Sequence, residues 1–367
     1  MPETTTADGD PHVEPIPDEF RASIARILAD FIDDKQAQLA TIGSDLDPLF
    51  ATARSYVGGG KRLRPAFTYW GFRAAGGVVG QSAPVVRAAA AIELVHASAL
   101  VHDDVMDDSA TRRGGPSAHR QFARLRLGGR IPDDPGQFGT MAAILLGDLL
   151  LSWSDELLSQ SGLKPKALAR GRGYFDKLRT EVMAGQYLDV LAQTSRSSSA
   201  ADAMRVVRYK SAKYTVERPL QFGAALAKAE RPLLAALSAY GIPLGEAFQL
   251  RDDMLGVFGE EDVTGKPSGD DIREGKRTLL MARAYDKASA AQRKVLDSHV
   301  GSPRLTADGI AKVQQVLRET GAVAAVETVV TELTAASLSA LRHAPIGDGE
   351  ARTALTVLTD RATRRTG

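Results

Sequence analysis

The chain has no cysteine among its 367 residues. That excludes a disulfide scaffold, a cysteine-ligated zinc or iron–sulfur site and a thiol nucleophile together, and it fits a reducing cytoplasm as the compartment. An excess of either charge is also lacking. Lys plus Arg number 46 against 45 Asp plus Glu, a formal net charge of +1, so no global field draws the chain to nucleic acid or to an anionic membrane. Long hydrophobic runs are few. The most apolar stretches, Ala88 to Val101 and Met141 to Leu151, are interrupted by Glu93, His96 and Asp148 before reaching the roughly 20 residues of a spanning helix, so no transmembrane segment is expected. The opening MPETTTADGDPHVEPIP lacks the apolar stretch of a secretory signal and the basic character of a transit peptide. Residues 1–17 are read as a flexible tail and 363–367 as a second, C-terminal one.

What is present is Ala, Leu, Arg and Glu, with apolar residues recurring at three and four. This is a helical period rather than strand alternation, and an all-α fold is expected. Gly and Pro clusters near residues 58–60, 76–80, 128–136, 161–165, 265–269 and 301–303 punctuate it as loops. The Gly/Pro-rich segment 127–139 is read as a surface loop. Charged motifs are spread from residue 61 to residue 278. Residues 18–362 are therefore expected to form one domain around one shared cavity.

The strongest chemical signal is the run Leu94 to Asp108, LVHASALVHDDVMDD. On a helix Asp103 and Asp107 are four apart, about 40° from eclipsed and about 6 Å apart along the axis, so both carboxylates leave one face. Like charges at that spacing destabilise a helix unless a cation lies between them. Only oxygen donors are offered, which favours a hard divalent ion such as Mg²⁺ completed by phosphate oxygens and water. A solvated acidic helix end is the plainer alternative, weakened by the apolar run before it. Asp252 and Asp253 in FQLRDDMLG repeat the arrangement. Basic counterparts are GGGKRLRP, with Lys61 and Arg64, and TRRG, with Arg112 and Arg113. Glycine lets backbone amides approach an anion, and Arg forks bind phosphate oxygens in pairs. A nucleotide P-loop is excluded, since no Gly-Lys here is followed by Ser or Thr or preceded by the first required Gly.

In this order GGGKRLRP, HDDVMDDSATRRGG, GDLL, GQYLD, YKSA, FQLRDDML and GKPSGDDIREGKRT resemble the trans-isoprenyl diphosphate synthases, the polyprenyl synthetases. The resemblance implies an isoprenoid synthase-type bundle of antiparallel helices around a deep central cavity, working as a homodimer with three Mg²⁺ ions, for which Mn²⁺ is a substitute. By the same resemblance Asp103, Asp107, Asp252 and Asp253 hold the metals against an allylic diphosphate, with Arg112, Lys210 and Lys266 adding positive charge. Lys61, Arg64, His96 and Arg113 match the positions that bind isopentenyl diphosphate. Gln186, Asp189, Ser211 and Gln249 line the reacting end, and Lys276 lies in a loop that closes over the substrates. His102 is read as structural.

Two departures stand out: Gly256 replaces a third Asp in the second acidic motif, and Ser211 replaces Thr. Ser98 and Ala99, one helical turn before Asp103, are both small where farnesyl-making enzymes carry a bulky aromatic. A product of at least twenty carbons is expected, geranylgeranyl diphosphate being favoured. Tyr69, Trp70 and Phe72 are candidates for the cavity floor, or simply core residues. A farnesyl or longer product, a class I terpene cyclase, a regulatory subunit of a heteromeric synthase and a His-Asp phosphohydrolase are the alternatives. The cyclase has no need of Lys61, Arg64 and Arg113, and the hydrolase lacks its further histidines.

Overall fold

The helical periods of the sequence become helices almost throughout the computed structural model, which describes residues 13–125, 133–194, 199–259, 269–302 and 304–364. In chain order these are α1 (Asp18–Leu39), α2 (Asp47–Val57), α3 (Leu63–Ala74), α4 (Ala83–Met106), α5 (Ala118–Phe122), α6 (Pro135–Ser159), α7 (Pro165–Thr194), α8 (Ala200–Val206), a π-helical segment Val207–Glu217, α9 (Arg218–Leu226) and α10 (Arg231–Phe258). There follow α11 (Asp270–Glu274), α12 (Leu279–Lys287), α13 (Ala290–His299), α14 (Ala307–Glu319), α15 (Ala322–His343) and α16 (Gly349–Thr363). Among the described residues the only sheet is a two-stranded antiparallel ribbon, β1 (Thr111–Arg112) and β2 (Gly115–Pro116). The all-α expectation is met. The chain divides into two compact units, one formed by Ile16–Ala66 and Gly80–Leu168, the other by the described residues up to Pro15, Phe67–Val79 and Ala169 onward.

In the first unit α4 is the central helix. It is apolar nearly all round, with buried residues from Val85 to Val101, which is the pattern of a helix enclosed by others. α6 packs along it, and α1 and α2 lie against it. The facing stripes follow the helical period: Ile24, Leu28, Phe31 and Ile32 on α1, and Leu146, Leu150, Trp153 and Leu157 on α6. Trp153 stacks on Phe50 at 6.0 Å and meets Phe31 edge-on at 6.4 Å between ring centres. Midway along α4 the buried carboxylate of Glu93 is matched by buried Arg62 at 2.5 Å. In the second unit α10 takes the central place, against α15 and the π-helical segment. Fully buried Tyr240 ties α10 to α16, its hydroxyl donating to the Leu355 carbonyl at 2.8 Å.

α4, α10 and α15 are each long and apolar enough to cross a membrane by length and composition. The interruptions at Glu93 and His96 do not remove α4 from that class, because isolated polar residues leave an 18-residue window apolar. The segment 127–139 is not all loop: residues 127–132 lie outside the described residues, but Asp134 caps α6 by accepting from the Gln137 amide at 2.9 Å, with Pro135 as the first helical residue. Within the stretch expected as a tail, Glu14 pairs with Arg361 at 2.6 Å and the Pro15 carbonyl accepts from Trp70 Nε1 at 2.8 Å.

Candidate active site

The chemistry-bearing residues of the first unit gather where α4 ends. Asp103 occupies the last turn of α4, and Asp107 is its C-cap, with its amide 2.8 Å from the Asp103 carbonyl. Both side chains are partly exposed. Two carboxylates at a helix C-terminus stand at the negative end of the macrodipole, where a cation is stabilised and an anion is not. Asp104, between them, has a different task. It is fully buried and takes a fork from Arg112, with Nε 2.9 and 3.1 Å from its two oxygens and Nη2 closing the second arm. Burial works against the Arg112 charge, and the Asp104 carboxylate outweighs it, holding that pKa above its ordinary value.

The ribbon explains how two adjacent arginines are presented. Thr111 pairs with Pro116 and Arg112 with Gly115, so Arg113 and Gly114 form a two-residue turn with φ of 52° and 76°. Positive φ at both positions is the primed hairpin turn, which favours Asn-Gly or Gly-Gly. An arginine there carries strain of roughly 1 kcal/mol or more, the kind of local cost found at functional positions. Arg113 Nη1 is anchored on the Tyr56 carbonyl at 3.1 Å and on that of Gly58, and its Nη2 lies 3.4 Å from where a Cβ on Gly60 would be. The glycine-rich turn and the ribbon thus meet. His96, seven residues before Asp103 on α4, has its pKa pushed well below the ordinary value by burial and then by Arg64, Arg113, Arg112 and Arg62. Four guanidinium charges thus bear on one imidazole, an arrangement suited to a multiply charged anion. Arg62, however, is committed to Glu93 and to the Val57 carbonyl. Lys61 is exposed and Arg64 partly so. His102 packs against α6, with Nε2 3.2 Å from the Ile144 carbonyl and 3.5 Å from Asp148.

In the second unit the π-helical segment carries Lys210 and Ser211, and such segments recur at functional positions. It is pressed close to α7, since a Cβ on Gly185 would lie 2.3 Å from the Lys210 amide nitrogen. The approach brings Lys210 Nζ to 2.6 Å from Asp189, one turn after Gln186. Ser211 donates to Gln249 Oε1 at 2.6 Å and Gln249 Nε2 donates to Asp253 at 2.8 Å, a polar chain running into the second acidic pair. Asp253 is pushed up to about 7 by burial and by the carboxylate of Asp271, while Gln249 draws it back. Asp252 is partly exposed. Asp271 also explains Gly256: a Cβ there would fall 2.1 Å from Asp271 Oδ2. Lys276 joins α11 to α12 and is pinned to Asp271 at 3.0 Å and Glu274 at 2.7 Å. Its neighbours are cap residues. Gly275 ends α11 with φ of 71°, and Thr278 caps α12. Lys266 lies outside the described residues.

Ser98 is buried on α4 and Ala99 partly so. Of the residues offered as a cavity floor, Trp70 is tied to Pro15 and edge-on to Tyr69 at 5.0 Å, and Phe72 is buried against Gly77. These are core roles. Tyr56 and Asp104, absent from the sequence reading, prove central to the arginine pair.

All donors in the two acidic pairs are carboxylate oxygens, and both pairs sit toward helix C-termini. That set fits Mg²⁺. Among the described residues no group of three or more His, Cys, Asp or Glu could enclose a metal ion. An ion held there would need oxygens from a ligand, as Mg²⁺ commonly does in phosphate sites.

The polyprenyl synthetase family profile matches residues 47–319. A crystal structure of geranylgeranyl pyrophosphate synthase from Corynebacterium glutamicum, complexed with isoprenyl diphosphate and magnesium, superposes with a TM-score of 0.91 at 41% identity, covering 95% of this chain and 99% of that one. Geranylgeranyl diphosphate synthase of Mycobacterium tuberculosis is 31% identical over 88% of this chain and 87% of its own length. Nonaprenyl diphosphate synthase of the same organism is 30% identical over 95% and 93%.

Proposed function

The chain belongs to the polyprenyl synthetase family, and on that premise we propose that it condenses isopentenyl diphosphate with an allylic diphosphate, giving geranylgeranyl diphosphate, in the cytoplasm and as a homodimer. The observation that carries the reading is the pairing of an acidic helix end with the tandem arginines beside it, Arg112 forked on Asp104 and Arg113 anchored at the glycine-rich turn. A terpene cyclase would need the first and not the second. Asp103 and Asp107, and Asp252 and Asp253, would hold Mg²⁺, which when bound neutralises the charge gathering on a departing diphosphate. Arg112, Lys210 and Lys266 add fixed positive charge to the allylic diphosphate. Lys61, Arg64, His96 and Arg113 hold the isopentenyl diphosphate. The carbon–oxygen bond of the allylic substrate breaks in an apolar, dry setting, the isopentenyl double bond attacks the cation, and a proton passes to the released diphosphate. Ser211, Gln186, Gln249 and Asp189 orient the reacting ends, and Lys276 closes on the bound diphosphate.

Product length rests on Ser98 and Ala99, the small side chains on the turn before Asp103. Support for the homodimer comes from apolar stripes at helical spacing: Met141, Ile144 and Leu145 are exposed on α6, and Met183, Tyr187 and Leu191 on α7. The test is condensation of labelled isopentenyl diphosphate with five-, ten- and fifteen-carbon primers, followed by product chromatography. Asp103→Ala and Asp107→Ala should each lower turnover by about 10²- to 10³-fold, the scale of losing one transition-state charge contact. Near wild-type turnover in either would refute the assignment of the first acidic pair.

A further inference from the structure

Arg112 and Arg113 are neighbours in the ribbon, yet they are held by different means, and Tyr56 takes part in both, sharing the hold on Arg113 with the Gly58 carbonyl. The buried Tyr56 hydroxyl donates to Asp104 Oδ2 at 2.6 Å and accepts from the Ala118 amide at 2.8 Å. Its single proton is thereby committed to the same carboxylate that receives the Arg112 fork. The Tyr56 main-chain carbonyl accepts from Arg113 Nη1 at 3.1 Å. A buried carboxylate with only the arginine on it could turn about its χ angles. With the phenol on Oδ2 it is fixed, and so is the edge of the guanidinium bound to it. The fork uses Nε and Nη2 and leaves the Nη1 end of Arg112 outside it.

We propose that Tyr56 is the positioning residue of the tandem arginines, its hydroxyl fixing Arg112 through Asp104 and its backbone carbonyl fixing Arg113. This rests on the assignment of Arg112 to the allylic diphosphate and Arg113 to isopentenyl diphosphate. The two arms separate under one substitution. Tyr56→Phe removes the hydroxyl and keeps the carbonyl, so only the Arg112 arm loosens. Burial and the Asp104 charge hold the phenol protonated, so the donor persists across the working pH range.

The first measurement needs no substrate: in arginine-selective ¹⁵N NMR spectra of the full chain, the Arg112 Nε–H signal should shift in Tyr56→Phe while that of Arg113 stays. The second is steady-state kinetics, where the KM for the allylic diphosphate should rise roughly 10-fold, the worth of one hydrogen bond to a buried charge, and that for isopentenyl diphosphate should stay within about 2-fold. An unmoved Arg112 signal, or equal changes in both KM values, overturns the proposal. A wild-type chain without condensation activity would instead refute the functional reading, and the spectra would still decide the positioning role. Should Tyr56→Phe not fold, 3-fluorotyrosine in place of Tyr56 keeps the ring and alters only the donor strength of its hydroxyl, and the Arg112 Nε–H signal should shift while that of Arg113 stays. A selective allylic defect supports the proposal and an unselective one overturns it.

Discussion

A single absent side chain governs the second acidic motif. The space beside Gly256 is taken by the Asp271 carboxylate, which Lys276 holds at 3.0 Å. Any side chain at position 256 must push that carboxylate away, and the Lys276 pair with it. Gly256→Asp should therefore lower stability by about 1–3 kcal/mol in urea unfolding, as overpacking does. Adding Asp271→Ala should recover part of the loss, because the two changes share one space. A full loss in the double variant would show that the collision is not the cause. The Gly256 departure was visible in the sequence, but its reason was not, since Asp271 belongs to another helix. The same holds for Tyr56 and Asp104: they are 48 residues apart, and Asp104 looks like half of an ordinary Asp-Asp pair. Asp103, Asp107, Arg112 and Arg113 were legible because each lies in a contiguous run whose charge pattern is unusual in itself.

At the scale of elements, the helical period announced an all-α chain without bounding its helices, and capping chemistry explains motifs that read only as strings. GKRT is a helix end, a lysine held by α11 and a helix start. What period could not reveal is the register change between α8 and α9, where the backbone takes π geometry around Lys210. Hydrophobic spacing does not separate 3.6 residues per turn from a single wider segment. It also missed the capped start of α6, because glycine and proline outweighed Asp134 in the reading. α4 supplies the element-scale prediction. Ala99 sits one turn before Asp103 on the same helix, so on the proposed course of the product along α4 a bulky ring there would take up that space. Ala99→Phe should shift the product toward fewer carbons, with substrate KM values little changed, as chromatography of the reaction products would show. An unchanged product would place the length control elsewhere.

For the whole molecule, the exposed stripe on α6 bears on assembly. Leu145 and Ile144 are 60% and 43% exposed, an arrangement that a second copy would bury. Ile144→Glu places a charge in that stripe and should convert a dimer to a monomer in sedimentation at micromolar concentration, with little effect on helix content. A wild-type chain that sediments as a monomer would remove the homodimer from the reading.

The interleaving of the two units has a further consequence, in time rather than space. The stretch Phe67–Val79 belongs with Ala169 onward. It includes Phe67, Trp70 and Phe72, all buried in the finished protein. On a ribosome adding roughly 5–20 residues per second, those three rings emerge about 15–60 s before the last residues of their own unit. During that interval a nascent chain displays a sticky segment that it cannot yet shelter, and holding chaperones would find there their natural hold on this protein.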